Sequence, residues 1–296
     1  MASVLTQLSD ALAAAVEDGG KSVVRVEGRR RLAASGIAWR EDGIVVTANH
    51  VVKRDEGVRI TGADGAAHEA TVVGRDPSTD IAVLQAQDVS LSPAAHGDEP
   101  KVGHLVLALG RPGRTVQATL GIVSALGTEP WRTPMGGQID RYLQTDVVMY
   151  PGFSGGPLVG SDGRLLALNS SALVRGVSVA VPLTTISSVV ETLVTHGRIR
   201  RGYLGVSTQP VRLPAGAVEE LEQETGLLIV GVEPDSPADQ GGMVLGDAIV
   251  GLDGSRVRHH DDLLALLSGD RVGRKVPVRI LRGGQVQTIN VTIGER

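Results

Sequence analysis

The sequence predicts a mostly β protein: an antiparallel barrel or sandwich, or a pair of them, followed by a smaller α+β unit. Three observations carry this. Short runs of β-branched and aliphatic residues recur from Lys21 to about Pro182 with no helical pattern between them. Gly, Pro, Asp and Asn punctuate the runs, and glycine supplies 39 of the 296 residues. Beyond a charged stretch at 198–202, residues 203–296 mix strand runs with a helical segment.

The elements follow in chain order. In residues 1–20, Leu5, Leu8, Leu12 and Val16 share one helical face, and Gly19-Gly20 ends the pattern. This amphipathic helix is expected to dock on its own domain. It has no basic start and Asp10 interrupts it, so it does not read as a secretory signal. Strands are expected at 22–26, 36–39, 43–47, 58–61, 69–75, 81–86, 105–109, 117–125, 140–145, 157–159, 164–169 and 177–181. Asp64-Gly65 and Asp162-Gly163 mark turns among them. A helix follows Pro182, capped by Thr184 or Thr185, with Ile186, Val189, Val190, Leu193 and Val194 on its apolar face and His196-Gly197 at its end. The second unit should hold strands at 203–207, 227–232, 248–252, 275–282 and 285–292, and a helix at 261–267 capped by Asp261. Asp253-Gly254 and Gly283-Gly284 read as hairpin turns.

Composition excludes several classes. Hydrophobic residues at 42% and charged residues at 21% rule out disorder over most of the chain. The net charge of −4 disfavours a protein built to grip nucleic acid. No apolar run approaches the ~18 residues of a membrane span. Cysteine is absent, which removes disulfides, thiolate metal sites and cysteine nucleophiles. His259-His260 lacks the i, i+4 spacing of a helical metal site. No metal or cofactor is expected.

Three segments carry chemistry. In Pro151-Gly152-Phe153-Ser154-Gly155-Gly156-Pro157, glycines on both sides of Ser154 let a carbonyl approach and let the Gly152 and Ser154 N–H groups converge. His50, in Thr47-Ala48-Asn49-His50-Val51-Val52, ends a strongly apolar strand. Asp80 stands directly before the apolar run Ile81-Ala82-Val83-Leu84. Alone, each has an ordinary explanation: a glycine-rich turn, a core histidine, a turn aspartate. Together they follow the chain order His, Asp, Ser, which chymotrypsin-type enzymes use and subtilisin does not.

At these residues the sequence resembles the HtrA/Deg family of trypsin-like serine proteases. Gly121-Ile122-Val123-Ser124 and Gln144-Thr145-Asp146 match as well. Arg201-Gly202-Tyr203-Leu204-Gly205-Val206, Ser236-Pro237-Ala238 and Gly246-Asp247-Ala248-Ile249 resemble PDZ signatures. The resemblance implies a chymotrypsin-like double β-barrel protease domain over 21–197, a linker at 198–202 and a PDZ domain over 203–296. It implies His50, Asp80 and Ser154 as catalytic residues, with Gly152, Phe153 and Ser154 N–H groups as the oxyanion hole. Val148, six residues before Ser154, would face the side chain preceding the scissile bond. Asn169, Ser170, Ser171 and Ala172 would form the strand edge that pairs with substrate backbone. Tyr203, Leu204, Gly205 and Val206 would bind a peptide C-terminal carboxylate, walled by the 261–267 helix.

The resemblance further implies unfolded or damaged protein substrates, a homo-oligomer (a trimer) and an extracytoplasmic setting; with Met1 as the native start the expected compartment is the cytoplasm. A proteolytically idle peptide-binding or chaperone-like module is the alternative. One departure stands out: digestive relatives carry Asp before the nucleophile to receive a freed N-terminus, and Phe153 cannot form that ion pair. Activation by N-terminal cleavage is therefore not expected.

Overall fold

A computed structural model describes residues 3–30, 32–199, 202–267 and 271–295. The chain divides into two units, residues 1–199 and 200–296. Arg200 and Arg201 of the expected linker lie outside the described residues.

The first unit holds two closed six-stranded antiparallel barrels, which decides between barrel and sandwich. Helix α1 (Val4–Gly20) leads into the first, built from β1 (Val23–Glu27), β2 (Ala34–Ala38), β3 (Ile44–Ala48), β4 (Val58–Thr61), β5 (Ala67–Asp76) and β6 (Ile81–Ala86) in the order β1-β2-β3-β6-β5-β4. The second comprises β7 (Leu105–Gly110), β8 (Gln117–Leu126), β11 (Leu143–Thr145), β12 (Pro157–Gly160), β13 (Leu165–Ser170) and β14 (Ser178–Pro182), closed as β11-β14-β13-β12-β7-β8. Between β8 and β11 runs a small hairpin, β9 (Trp131–Arg132) and β10 (Gln138–Ile139). Strands β2, β3, β12 and β13 are buried along their whole length, which is why they read as continuous apolar runs rather than alternating ones.

Helix α2 (Leu183–His196) lays Ile186, Val189, Val190 and Leu193 on the large aliphatic core. Its cap differs from expectation. Pro182 is the N-cap, and Thr185 instead accepts the Asp140 N–H at 3.0 Å. Gly197, left-handed at φ 72°, ends the helix as read. Only the C-terminal half of α1 docks. Ala15, Gly19 and Gly20 are buried, whereas Val4 and Leu5 are about 80% exposed and Leu8 is exposed. The contact is close: a Cβ on Gly19 would lie 2.9 Å from the Gly163 carbonyl.

The second unit is a sheet in the order β16-β17-β18-β20-β21. The unit's strands are β15 (Gly202–Tyr203), β16 (Val206–Arg212), β17 (Thr225–Val232), β18 (Ala248–Leu252), β19 (Ser255–Arg256), β20 (Lys275–Arg282), β21 (Gln285–Thr292) and β22 (Gly294–Glu295), with β15 and β22 paired separately and β19 on β18. Helices α3 (Ala215–Leu221) and α4 (Pro237–Gln240) were not apparent in the sequence, whose pattern there is too short for a period to register. Helix α5 (His260–Leu266) starts after His259, not Asp261; the Asp262 carboxylate reaches back to the Arg258 and His259 N–H groups.

Candidate active site

His50 sits in a single 3-10 turn, Asn49–Val51, directly after β3. Asp80 precedes β6, the strand paired with β3, so the ladder brings the two residues to the same barrel rim. Asp80 is held at φ 59°, an unusual conformation for a non-glycine residue. The preceding turn sustains it: the Asp76 carboxylate accepts the Ser78 N–H at 3.0 Å, the Ser78 hydroxyl at 2.5 Å and the Thr79 hydroxyl at 2.7 Å. The Asp80 carboxylate then meets three donors. His50 N–H lies 2.9 Å from Oδ1, His50 Nδ1 lies 2.8 Å from Oδ2, and the Ser170 hydroxyl donates to Oδ2 at 2.5 Å. Asp80 is buried and His50 is 23% exposed, so the carboxylate fixes the imidazole through Nδ1 and leaves Nε2 toward the open side.

Ser154 comes from the second barrel, in the loop before β12. Its hydroxyl shares a 2.9 Å hydrogen bond with the Ser171 hydroxyl. Adjacent residues Ser170 and Ser171 thus link Asp80 to Ser154, and the three candidates occupy one site. The glycines around Ser154 are sterically required. Gly152 and Gly155 have φ of 95° and 86°, and a Cβ on Gly155 would stand 2.2 Å from the Ser35 carbonyl.

Two expectations about this loop need correction. The Phe153 N–H donates to the Tyr150 carbonyl at 3.0 Å, so it is no oxyanion donor. Among the described residues no hydrogen bond is made by the Gly152 or Ser154 N–H, and these two remain available. The Phe153 ring is fully buried, packed edge-on to Tyr150 at 5.8 Å. Val148 is 55% exposed, so its side chain forms no pocket floor; its carbonyl accepts the Thr119 hydroxyl.

The segment 169–172 also divides differently. Asn169 is taken up on both sides, by Ala180 of β14 and by Gly155 and Gly156 of the Ser154 loop, whereas Ser170 is paired only with Val179 of β14, the β12 pairing ending at Leu168. Asn169 braces the nucleophile loop instead: its carbonyl accepts the Gly155 N–H, and its amide donates to the Pro157 carbonyl. Ser170 on its unpaired side, with Ser171 and Ala172 beyond it, can offer the expected edge.

In the second unit, Tyr203-Leu204-Gly205-Val206 enters β16, whose outer edge carries no strand among the described residues. Gly205 is left-handed at φ 79°, and a Cβ there would lie 2.2 Å from Ser236. Leu204 is buried, and the Tyr203 hydroxyl bonds Glu233. Helix α5 flanks β16: His260 Nε2 contacts the Thr208 carbonyl at 2.9 Å, a position to which the sequence assigned no role. Behind the sheet, Asp247 is buried and receives Arg282 through Nε and Nη2, both at 2.7 Å. Burial alone would raise its carboxyl, but the Arg282 hydrogen bonds, the Val244 N–H and the Arg282 charge together hold it below the usual range.

Comparison with known proteins agrees with this architecture. A trypsin-like peptidase domain matches residues 34–168 and a PDZ domain matches residues 202–293. A probable periplasmic serine endoprotease, DegP-like, from Marinomonas sp. (strain MWYL1) is 35% identical over 285 residues, covering 94% of this chain and 60% of the relative. Its counterpart in Pseudomonas fulva is 36% identical over 278 residues, 57% of that protein. The chain thus spans less than two-thirds of the length of these curated relatives. Among solved structures, the serine endoprotease from Yersinia pestis superposes with a TM-score of 0.76 at 29% identity, covering 96% of this chain and 98% of that one. The HtrA-type protease AlgW with tripeptide superposes at 0.75 with 30% identity, covering 96% and 97%. On sequence, fold and domain order alike, the chain belongs to the HtrA family of trypsin-like serine proteases that carry a PDZ domain.

Proposed function

We propose that the chain is a serine endopeptidase acting on unfolded or damaged polypeptides, with Ser154 as nucleophile, His50 as general base and Asp80 as its orienting carboxylate. The observation that carries this reading is the His50–Asp80 pair, joined to Ser154 through Ser170 and Ser171. When a peptide carbonyl is bound, the Ser154 hydroxyl exchanges Ser171 for His50 Nε2. Oγ attacks the carbonyl carbon as its proton passes to His50. The oxyanion is met by the Gly152 and Ser154 N–H groups. Collapse expels the amine, which takes the proton back from His50, and water repeats the sequence on the acyl-enzyme. Asp80 stabilises the charged imidazole throughout.

The same reading assigns 1–20 to an N-terminal helix, 21–197 to the protease domain, 198–202 to a linker and 203–296 to a PDZ domain; the 34–168 and 202–293 matches support it. The open edge of β16 suits a peptide C-terminus, added as a strand with its carboxylate at Leu204–Val206. A homo-oligomer, a trimer by family resemblance, would cover the exposed Val4, Leu5 and Leu8. The relatives' periplasmic address is chemically acceptable to a cysteine-free chain.

An organophosphonate probe separates this reading from an idle peptide-binding module. The parent protein should be labelled at Ser154 and should cleave casein. Ser154→Ala should fold, resist labelling and lose several orders of magnitude in rate. Equal casein cleavage by the two proteins would remove Ser154 as the nucleophile.

A further inference from the structure

We propose that Ser35, in β2 of the first barrel, is a positioning residue that holds the oxyanion loop of the second barrel in its working conformation. The proposal rests on the peptidase reading above and adds a residue to it. Ser35 is fully buried and grips the loop twice. Its hydroxyl donates to the Gly152 carbonyl at 2.7 Å, and its N–H donates to the Ser154 carbonyl at 3.2 Å. The residue is itself anchored. Thr47 donates its hydroxyl to the Ser35 carbonyl at 2.7 Å, and the Arg111 N–H donates to the Ser35 hydroxyl at 2.8 Å.

The consequence for the oxyanion donors is geometric. A planar peptide points its C=O and N–H in opposite directions. Fixing the Gly152 carbonyl on Ser35 therefore turns the Phe153 N–H away, to the Tyr150 carbonyl where it is found. The next carbonyl, that of Phe153, accepts the Gly156 N–H at 2.9 Å. Carbonyls 152, 153 and 154 are thus each pinned, two of them by Ser35. Gly152, at φ 95° with no Cβ, has little else to resist a rotation that would carry its N–H away from Ser154. Nucleophile and histidine can be intact while the hole is not, and Ser35 is the side chain that couples the first barrel to that hole. Its hydroxyl lies 117 residues from Gly152 in sequence, so no local pattern announces it.

The test compares Ser35→Ala with the parent on a chromogenic peptide, with kcat expressed per site labelled by the organophosphonate at completion. Losing an oxyanion donor outright costs about 10²–10³ in kcat, and loosening both donors through their support should cost about 10–100-fold, with KM within about twofold. Affinity for a peptide aldehyde, whose adduct places an oxyanion in the hole, should fall by a similar factor. Affinity for the matching peptide amide should not. Ser35→Cys, which keeps the size and a weak donor, should lie between, and carries the test if the alanine variant does not fold. A parent-like kcat per labelled site and unchanged aldehyde affinity would overturn the proposal. Ser154→Ala, run alongside, must be inactive; if it is active, the peptidase reading has failed rather than the role of Ser35.

Discussion

Replacing Phe153 with Ala should both destabilise the protease unit and slow its chemistry. Phe153 is the only phenylalanine in the chain and is fully buried. It shares a core cluster with Val106, Ala108, Val123, Leu143, Val147 and Leu158, and its ring stands so close to Gly110 that a Cβ there would lie 2.7 Å from it. Removing a buried ring loses its transfer free energy and leaves a cavity, together about 3–5 kcal/mol. For a unit of this size each kcal/mol lowers the melting midpoint by about 2–4 °C, so the expected drop is about 6–20 °C. The kinetic effect adds to this. Phe153 lies between Gly152 and Ser154, the proposed oxyanion donors, and its buried ring anchors the chain that carries both. At a temperature where the variant is still folded by circular dichroism, kcat per labelled site should fall at least about tenfold. Phe153→Leu, which refills most of the volume, should recover most of both losses. A variant with Ala within about 1 kcal/mol of the parent and normal turnover would refute the reasoning.

Ser170→Ala removes one of three donors from the buried Asp80 carboxylate; a hydrogen bond to a charged group is worth about 1.5–3 kcal/mol, so kcat should fall by about 10–100-fold in steady-state assays, and a parent-like value would make Ser170 mere filler. In the second unit, the Asp247 carboxyl is held below its unfolded value, so it binds fewer protons folded than unfolded. Its contribution to stability is complete above the unfolded pKa of about 3.9 and is lost as pH falls through the lower folded value. Calorimetry should therefore show the transition that carries this unit shifting down as pH drops below about 4. Asp247→Asn should lower that transition at neutral pH and flatten its acid dependence; an unaltered acid slope would show that Asp247 does not set it.

Much of this was readable before any coordinates. Local periodicity suffices for β strands and for the α2 face, and the order His50, Asp80, Ser154 with its flanking residues carries the family. What escaped reading has a common cause. Whether Asn169 belongs to an edge depends on its hydrogen bonds to Gly155 and Gly156, contacts remote in sequence. Whether the Phe153 N–H faces a substrate depends on the Tyr150 carbonyl and on Ser35, far away in sequence. The offset from Ser154 points Val148 inward, yet the irregular segment after β11 buries Val147 and leaves Val148 in solvent. Thr184 and Thr185 have the residue type of caps, but the helix begins at Leu183 with Pro182 as its N-cap, two residues before Thr184.

These failures converge on how the nucleophile loop is kept in shape. An ion pair beneath it would require desolvating a carboxylate and an ammonium, each at a cost of several kcal/mol, and would make the loop's order depend on the presence and charge of both. Here the position holds a phenyl ring, and the hydrogen bonds that hold the loop are neutral: Ser35 to Gly152 and Ser154, Phe153 to Tyr150, Gly156 to Phe153 and Gly155 to Asn169. The buried Arg111 guanidinium is satisfied by the carbonyls of Val23, Gly20 and Arg114, and the Arg111 backbone N–H supports Ser35. Burial pushes that guanidinium below its usual pKa, but a group titrating so far from neutrality stays charged. The loop therefore takes its order from core packing and from β2. Its response to perturbation should follow the cohesion of the second barrel.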